Sequence, residues 1–410
     1  MTISYRLVYP AVDASPPLTA GQQAVAGHRA GVLTVLGGPR TGKTTALRHA
    51  ALGAAADGAG VWFFAGSRRA RLDVAAWIGR VSPPAASRVW ATTFYSFSQS
   101  VLQQYASESV TVLAAARQDA YVREILAGQA PAAWPERFAP ARGTPAFAAS
   151  VREAIAACQR EGLTPADVRA RGAAEGRDDW VALAGFFEEY LDILGLAAVQ
   201  DYGELLIRAG EVLRDERVLA EVRPPQTLVV VDNAEDMDPV QAGVLAVLAG
   251  PSTPLILAVD PDRQVYGFRG ARLTPSAGAM VCLQRGFDVA GAVEAACGPL
   301  RQRLPLPPGT ALGALDAYRH LTPDRPGEAA KVVFTDSLAE AGWVATRLRH
   351  ARLTDGIAWE DMAVLVRRRS DFARYEVACE AAGVPVVVSG DEIQLGAEPI
   401  VTVLLAALRL

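Results

Sequence analysis

Lysine is almost missing from this chain. Of its 40 basic residues only Lys43 and Lys331 are lysine, and the rest are arginine. A drift towards Ala and Arg accounts for that imbalance, and it makes a retained lysine informative wherever arginine would not serve. Cysteine is scarce as well. Cys158, Cys282, Cys297 and Cys379 lie far apart and form no CxxC pair, which argues against a zinc or iron–sulfur site and for a reduced, cytoplasmic protein. The histidines (His28, His49, His320, His350) are equally scattered, with no acidic partners at ligand spacing. No apolar run approaches the roughly 20 residues of a membrane span; GVLTVLGG and TPLILAVD have the length of strands. MTISYRLVYP has no basic-then-apolar leader, so no secretion signal is expected. A net charge of -4 excludes a globally basic nucleic-acid protein and leaves room for a local basic groove.

Apolar residues are plentiful. They make up 51% of 410 residues, enough for two or three domains with separate cores. No internal repeat of domain-repeat length is present. Apolar strands at GVLTVLG (31–37) and VWFFAG (61–66) alternate with segments of helical spacing, and RVWATTFYSFSQSVLQQY turns from strand to helix. That alternation predicts an α/β fold with a parallel, doubly wound sheet. Strand signals stop from about residue 105 to 200, where AAARQDAYVREILAG, AFAASVREAIAACQREG and WVALAGFFEEYLDILG carry helical periodicity. Strands return at TLVVVD and PLILAVD. The expected organisation is one domain split into 1–104 and 200–300, a helical insertion at 105–199, a linker at 301–330 containing RLPLPPGTALG, and a second α/β unit at 331–410. In that unit KVVFTD, MAVLVRR and VPVVVSG read as strands. VTVLLAALRL reads as an apolar helix without a closing cap, so this second unit is expected to be incomplete.

GGPRTGKT (37–44) fits the phosphate loop G-x-x-x-x-G-K-[ST], between a strand and a helix. Backbone N–H groups of such a loop and helix start cradle phosphates. Gly37, Gly38, Pro39, Arg40, Thr41, Gly42, Lys43, Thr44 and Thr45 are therefore the candidate nucleotide-contacting residues. Lys43 would reach the β- and γ-phosphates, and the Thr44 hydroxyl would help to hold Mg2+. Asp232, at the end of TLVVVD, is the natural second anchor for that metal. A P-loop alone leaves kinases, transporters and helicases open.

AVDPDRQVYGFRGA (258–271) narrows the choice, because it resembles motif III of the UvrD/Rep superfamily 1A DNA helicases, roughly GDPDQSIYGFRGA. Other segments resemble that family in the family's order. LTAGQQAV (18–25) is similar to its N-terminal glutamine motif, AGSRRA (65–70) to motif Ia, TTFYSF (92–97) to motif Ib, and VDNAEDMDPVQ (231–241) to VDEFQDTNPIQ. DMAVLVRRRS and AAGVPVVVSGD look like the early second motor domain. The resemblance implies a RecA-like motor domain, ATP and Mg2+ as cofactors, and single-stranded DNA as partner. It implies Gln22 as the adenine-reading residue and Arg269 among the catalytic groups with Lys43, Asp232 and position 233. It also implies Ser67, Arg68, Thr93, Phe94 and Tyr95 against the DNA backbone, with Tyr266 and Phe268 as faces for base stacking.

The departures from the family gather where hydrolysis occurs. The catalytic glutamate after Asp232 is Asn233, and an amide can orient a water without accepting its proton. Neither Glu235 nor Asp236 is expected to substitute, since Asp236 already fills another motif position. The motif III glutamine is Arg263. In QRGFD (284–288) the adenine-stacking tyrosine aligns with Gly286 and a γ-phosphate arginine with Phe287. Motifs V and VI are not met within these residues. Two readings follow from the resemblance: an ATP-driven helicase or translocase subunit with an attenuated hydrolytic site, or a non-catalytic DNA- and partner-binding motor. The second is similar to one chain of the paired helicase–nucleases of the RecBCD and AdnAB kind, and it implies a second helicase–nuclease subunit as partner.

Overall fold

The computed structural model describes residues 17–106, 111–113, 115–267, 270–272, 278–305 and 317–388. The MTISYRLVYP N-terminus, Phe268, Arg269, most of the proline-rich linker and VTVLLAALRL lie outside the described residues. The chain divides into two compact units, Met1–Glu328 and Ala329–Leu410.

The first unit begins with α1 (Ala20–Ala26), β1 (Val32–Gly37), α2 (Lys43–Ala56), β2 (Val61–Phe64), α3 (Arg68–Val81), the short α4 (Pro83–Ala86), β3 (Val89–Thr92) and α5 (Phe94–Tyr105). A helical stretch follows: the two-residue β4 (Thr111–Val112), α6 (Ala115–Gly128), α7 (Pro145–Arg160), α8 (Pro165–Ala174), α9 (Asp178–Leu196) and the two-residue β5 (Val199–Gln200). The chain then returns through α10 (Tyr202–Val212), α11 (Glu216–Val222), β6 (Leu228–Val231), α12 (Pro239–Ala249), β7 (Leu255–Val259), β8 (Ala279–Leu283) and α13 (Gly291–Arg301). The main sheet runs β3-β2-β6-β7-β1-β8 with every neighbouring pair parallel.

LVVV of β6 and LILAV of β7 contain no polar residue because helices cover both faces of the sheet. Leu228 and Val230 point into a core with Leu47, Ala50 and Ala54 of α2. Val229 and Val231 point the opposite way, towards Phe97 of α5, Leu206 of α10 and Leu248 of α12. Each such aliphatic side chain contributes about 1.5–3 kcal/mol by leaving water. The edge strand β8 is different. AMVCL is wholly apolar, yet Ala279 and Met280 are exposed and only Leu283 is buried, and no strand was expected there.

Helices α6 to α9 pack around their own core, with Ile155, Phe186, Phe187 and Tyr190 at its centre. Their starts are set locally: Thr144–Pro145 opens α7 and Thr164–Pro165 opens α8, each threonine capping a backbone N–H. This group is tied to α10 through Asp201, whose carboxylate accepts from Tyr190 Oη (2.9 Å), from Gln159 Nε2 (3.0 Å) and from the N–H of Glu204 (2.8 Å).

The second unit contains α14 (Ser337–Thr354) and α15 (Phe372–Ala381), which meet around Ala345, Cys379 and Val384. Asp336 caps α14 by accepting from the N–H groups of Leu338 and Ala339. The segments expected as strands in this unit form no ladder among the described residues. Val333, Leu365 and Val387 stand 84%, 95% and 96% exposed. A strand exists only through hydrogen-bonded neighbours, so apolar, β-branched sequence does not produce one by itself.

Candidate nucleotide and nucleic-acid site

In the sheet β7 lies between β1 and β6. The C-terminal ends of these three strands bring the phosphate loop, the Asp260 turn and the Asp232 loop together, the usual place for a ligand on an open α/β sheet. The phosphate loop bends through left-handed backbone at Arg40 (φ 63°) and Gly42 (φ 78°). A Cβ on Gly42 would lie 2.2 Å from Gln22 Nε2, and one on Gly37 would lie 2.4 Å from Thr41 Oγ1. Both positions therefore require glycine. Lys43 Nζ donates to the carbonyls of Gly37 (2.6 Å) and Gly38 (3.0 Å) and stands 3.6 Å from Asp260 Oδ2.

Thr44 Oγ1 donates to Asp232 Oδ2 at 2.6 Å, so the two residues expected to hold a metal touch one another. A hydroxyl beside a carboxylate is a hard-oxygen pair suited to Mg2+. Among the described residues no group of three or more His, Cys, Asp or Glu forms an all-protein metal cage. A Mg2+ here would thus complete its octahedron with phosphate and water oxygens, as Mg2+ commonly does.

These groups line a cleft of about 600 Å³ together with Leu18, Gln22, Asn233, Arg263 and Phe287. Gln22 is committed: its Oε1 accepts from Thr19 N (3.0 Å) in a capping box and its Nε2 donates to Gly42 O (3.3 Å). Phe287 approaches the same spot, with a ring carbon 3.4 Å from where a Gly42 Cβ would be. Gly286 packs against Val289 and Leu321 instead. The aromatic of this segment therefore faces the cleft one residue later than the family register suggests. Phe287 N donates to Arg40 O (2.9 Å) and Arg40 Nε donates to Phe287 O (3.0 Å), which joins this wall to the phosphate loop.

Asn233 is itself left-handed, at φ 58° and ψ 46°. Asparagine tolerates that region better than most side chains. Its amide Nδ2 donates to Glu235 Oε1 (3.3 Å), and Glu235 Oε2 accepts from Asp260 N (3.1 Å). Glu235 is fully buried, and burial pushes its carboxyl up to about 7 against the hydrogen bonds that favour its charge. Asp260 also accepts from Tyr318 Oη, and Asp262 is gripped by Arg319 Nε at 2.9 Å. With Lys43 beside Asp260, residues from three separate parts of the chain thus hold this turn in place.

A second groove of about 670 Å³ lies on the other side of Asp232 and Asn233. Thr93, Tyr95 and Tyr266 line it, with Gln118, Arg152 and Arg160 of the helical insertion opposite. Tyr95 and Tyr266 are 36% and 40% exposed, and Tyr95 meets Tyr202 edge to face at 5.3 Å. Phe94 also borders the groove, but it is 8% exposed and stacks on Phe64 at 4.5 Å, so its ring belongs to the core. Thr93 and Ser67 spend their hydroxyls capping α5 and α3. Arg68 is exposed at the start of α3, outside this groove. Acidic groups share the wall: Glu153, Asp236 and Asp238 line it too, and burial raises the carboxyls of Asp236 and Asp238.

Sequence reasoning missed Arg152 and Arg160, which line the groove, and Tyr202 and Tyr318, which support Tyr95 and Asp260, because only tertiary contacts bring them there. Residues 18–276 match the UvrD/REP helicase N-terminal domain family. A stretch of 114 residues is 31% identical to DNA helicase II of Escherichia coli, covering 28% of this chain and 15% of that protein. DNA helicase II of Haemophilus influenzae is 29% identical over 115 residues, again 28% of this chain and 15% of the relative. These matches therefore span well under two thirds of the relatives' length. The family match spans more than half of the 410 residues, and the chain belongs to the UvrD/REP helicase N-terminal domain family.

Proposed function

We propose that this chain is an ATP-dependent DNA helicase or translocase subunit that binds ATP with Mg2+ and single-stranded DNA, and whose hydrolytic site is attenuated. The observation that carries the reading is that Asp232 and Asn233 line both the phosphate-loop cleft and the tyrosine-bordered groove. A translocase needs such a shared element, because nucleotide state must alter the grip on the strand.

On this reading Lys43 exchanges the carbonyls of Gly37 and Gly38 for phosphate oxygens. Thr44 and Asp232 would hold Mg2+, which would supply positive charge to neutralise the phosphates. Phe287 offers a flat face to the base. Tyr95 and Tyr266 offer faces to successive bases of the strand, each stack worth about 1–3 kcal/mol and tolerant of sequence. Asn233 can orient the attacking water but cannot take its proton, a loss of about 10²–10⁴ in rate. Glu235 does not replace it, because it is fully buried and both carboxylate oxygens are occupied. The same observation favours a second reading, a non-catalytic DNA- and partner-binding subunit of a two-motor helicase–nuclease in DNA repair, with hydrolysis left to the partner. The described cysteines are all free, in keeping with a cytoplasmic protein.

The test uses the whole chain. Fluorescent ATP with Mg2+ and a labelled oligothymidylate are titrated separately, and ATP turnover is measured with and without DNA. Binding of both ligands with slow turnover is expected. Tyr95→Ala with Tyr266→Ala should weaken DNA binding at least about tenfold and leave nucleotide binding in place. Failure to bind nucleotide removes the motor reading, and turnover at an ordinary motor rate removes the attenuated site.

A further inference from the structure

The polar side chains at one end of the nucleotide cleft are bonded to the protein itself. Mg2+ between Thr44 and Asp232 would draw the outer phosphates to that side, so the base lies towards Phe287 and Gln22, which crowd Gly42. Gln22 is 2% exposed there. Its Oε1 accepts from Thr19 N (3.0 Å) and from Thr19 Oγ1 (3.3 Å). Its Nε2 donates to Gly42 O (3.3 Å) and to Thr41 O (3.5 Å). A side-chain amide has two lone pairs and two N–H hydrogens, and all four have partners. Thr41 Oγ1 donates to Gly38 O (2.9 Å), and the Arg40 guanidinium is turned to Asp288 Oδ2 (2.7 Å) and Phe287 O.

What remains around Gly42 is flat and apolar: the Phe287 ring, with Leu18 and Pro39 on the same cleft wall. Phe287 is fixed by its backbone bonds to Arg40, and the Arg285 guanidinium lies 5.2 Å from the ring centre. Turning the Gln22 amide to a base edge would exchange internal hydrogen bonds for external ones, with no net gain. We propose that this cleft holds a nucleoside triphosphate by its phosphates and by stacking on Phe287, without reading the edge of the base, so that ATP and GTP bind alike. This rests on the nucleotide-binding reading above and widens its ligand from ATP to the nucleoside triphosphates as a class. A site that hydrogen-bonds a substrate edge rejects the wrong one strongly, because buried groups are then left unpaired; an apolar slot discriminates little. Every base has a π-face, so stacking tolerates any of them.

The experiment displaces a ribose-labelled fluorescent nucleotide from the whole chain with the Mg2+ complexes of ATPγS, GTPγS and inorganic tripolyphosphate. It is run on the unaltered protein, Gln22→Ala and Phe287→Ala. In the unaltered protein the dissociation constants of ATPγS and GTPγS are expected within about threefold of each other. Phe287→Ala should weaken both by about fivefold or more and leave tripolyphosphate unchanged. Gln22→Ala should move ATPγS and GTPγS by the same factor. ATPγS bound at least about tenfold more tightly than GTPγS overturns the proposal while leaving nucleotide binding intact. So does a Gln22→Ala that weakens ATPγS alone, or a Phe287→Ala that weakens neither nucleotide. The first comparison needs no variant, so it decides even if Gln22→Ala fails to fold. If the unaltered protein binds none of the three ligands, the underlying nucleotide reading fails instead.

Discussion

Asn233→Glu restores a carboxylate where the site lacks one, and its consequences can be worked out on both sides. Asn233 sits at φ 58° and ψ 46°, and a long side chain in left-handed backbone costs about 1–2 kcal/mol. The change removes the amide that donates to Glu235 Oε1 at 3.3 Å, a further loss of about 1 kcal/mol. It also sets a new carboxylate beside Asp232 and Glu235, so the folded protein should lose roughly 2–3 kcal/mol in all. Against that stands a general base next to the phosphate cradle, worth about 10²–10⁴ in rate. Gly66, whose missing Cβ would lie 3.1 Å from Asn233 Oδ1, leaves space alongside the longer side chain. The assay is DNA-stimulated ATP hydrolysis, with urea unfolding and nucleotide titration on the same preparation. A less stable, faster enzyme is expected. If the folded variant binds Mg2+–ATP as tightly as the unaltered protein yet hydrolyses it no faster, the missing carboxylate does not limit the reaction and the reasoning is refuted.

Two further outcomes concern the turn behind the site. Glu235 titrates near 7 when folded and near its ordinary 4.5 when unfolded, so its contribution to stability is complete below pH 4.5 and is lost as pH rises through 7. That contribution is on the order of 3 kcal/mol. Glu235→Gln should therefore flatten the fall in urea-unfolding free energy between pH 5 and pH 8, and an unchanged slope would remove Glu235 as its source. Tyr318→Phe leaves the carboxylate of Asp260, itself 1% exposed, without its hydroxyl donor and Asp262 N without its acceptor. A loss of about 1–3 kcal/mol is expected by chemical denaturation, and a loss below about 0.5 kcal/mol would show that the contact carries little.

The candidate phosphate loop was legible because its demands are local: a glycine at position 42, where φ is positive, and a lysine in a chain that has almost none. Strands β6 and β7 were legible because burial on both faces leaves only apolar residues. The two-residue pair β4–β5 is too short to carry a pattern, and the apolar run of edge strand β8 is set as a strand by its neighbour β1. The converse holds in the second unit, where strand-like sequence forms no ladder among the described residues. At the site, Asn233 was visible as an amide where the family motif carries a carboxylate, but its left-handed backbone and its bond to Glu235 were not. Phe287 was visible as a departure, whereas its place over Gly42 depends on a bond to Arg40 across 247 residues.

The segment 317–325 behaves as a drawstring around the nucleotide cleft. At one end Tyr318 and Arg319 are knotted to Asp260 and Asp262, on the wall that carries Arg263. Further along, Thr322 bonds Gln284 and Gly286, and the Asp324 carboxylate takes the N–H groups of Asp288 and Val289, on the wall that carries Phe287. Among the described residues no hydrogen bond joins Asp260–Arg263 directly to Gln284–Val289. They cannot part without slackening one of these knots, and the cord itself runs out of the first unit a few residues later, at Glu328.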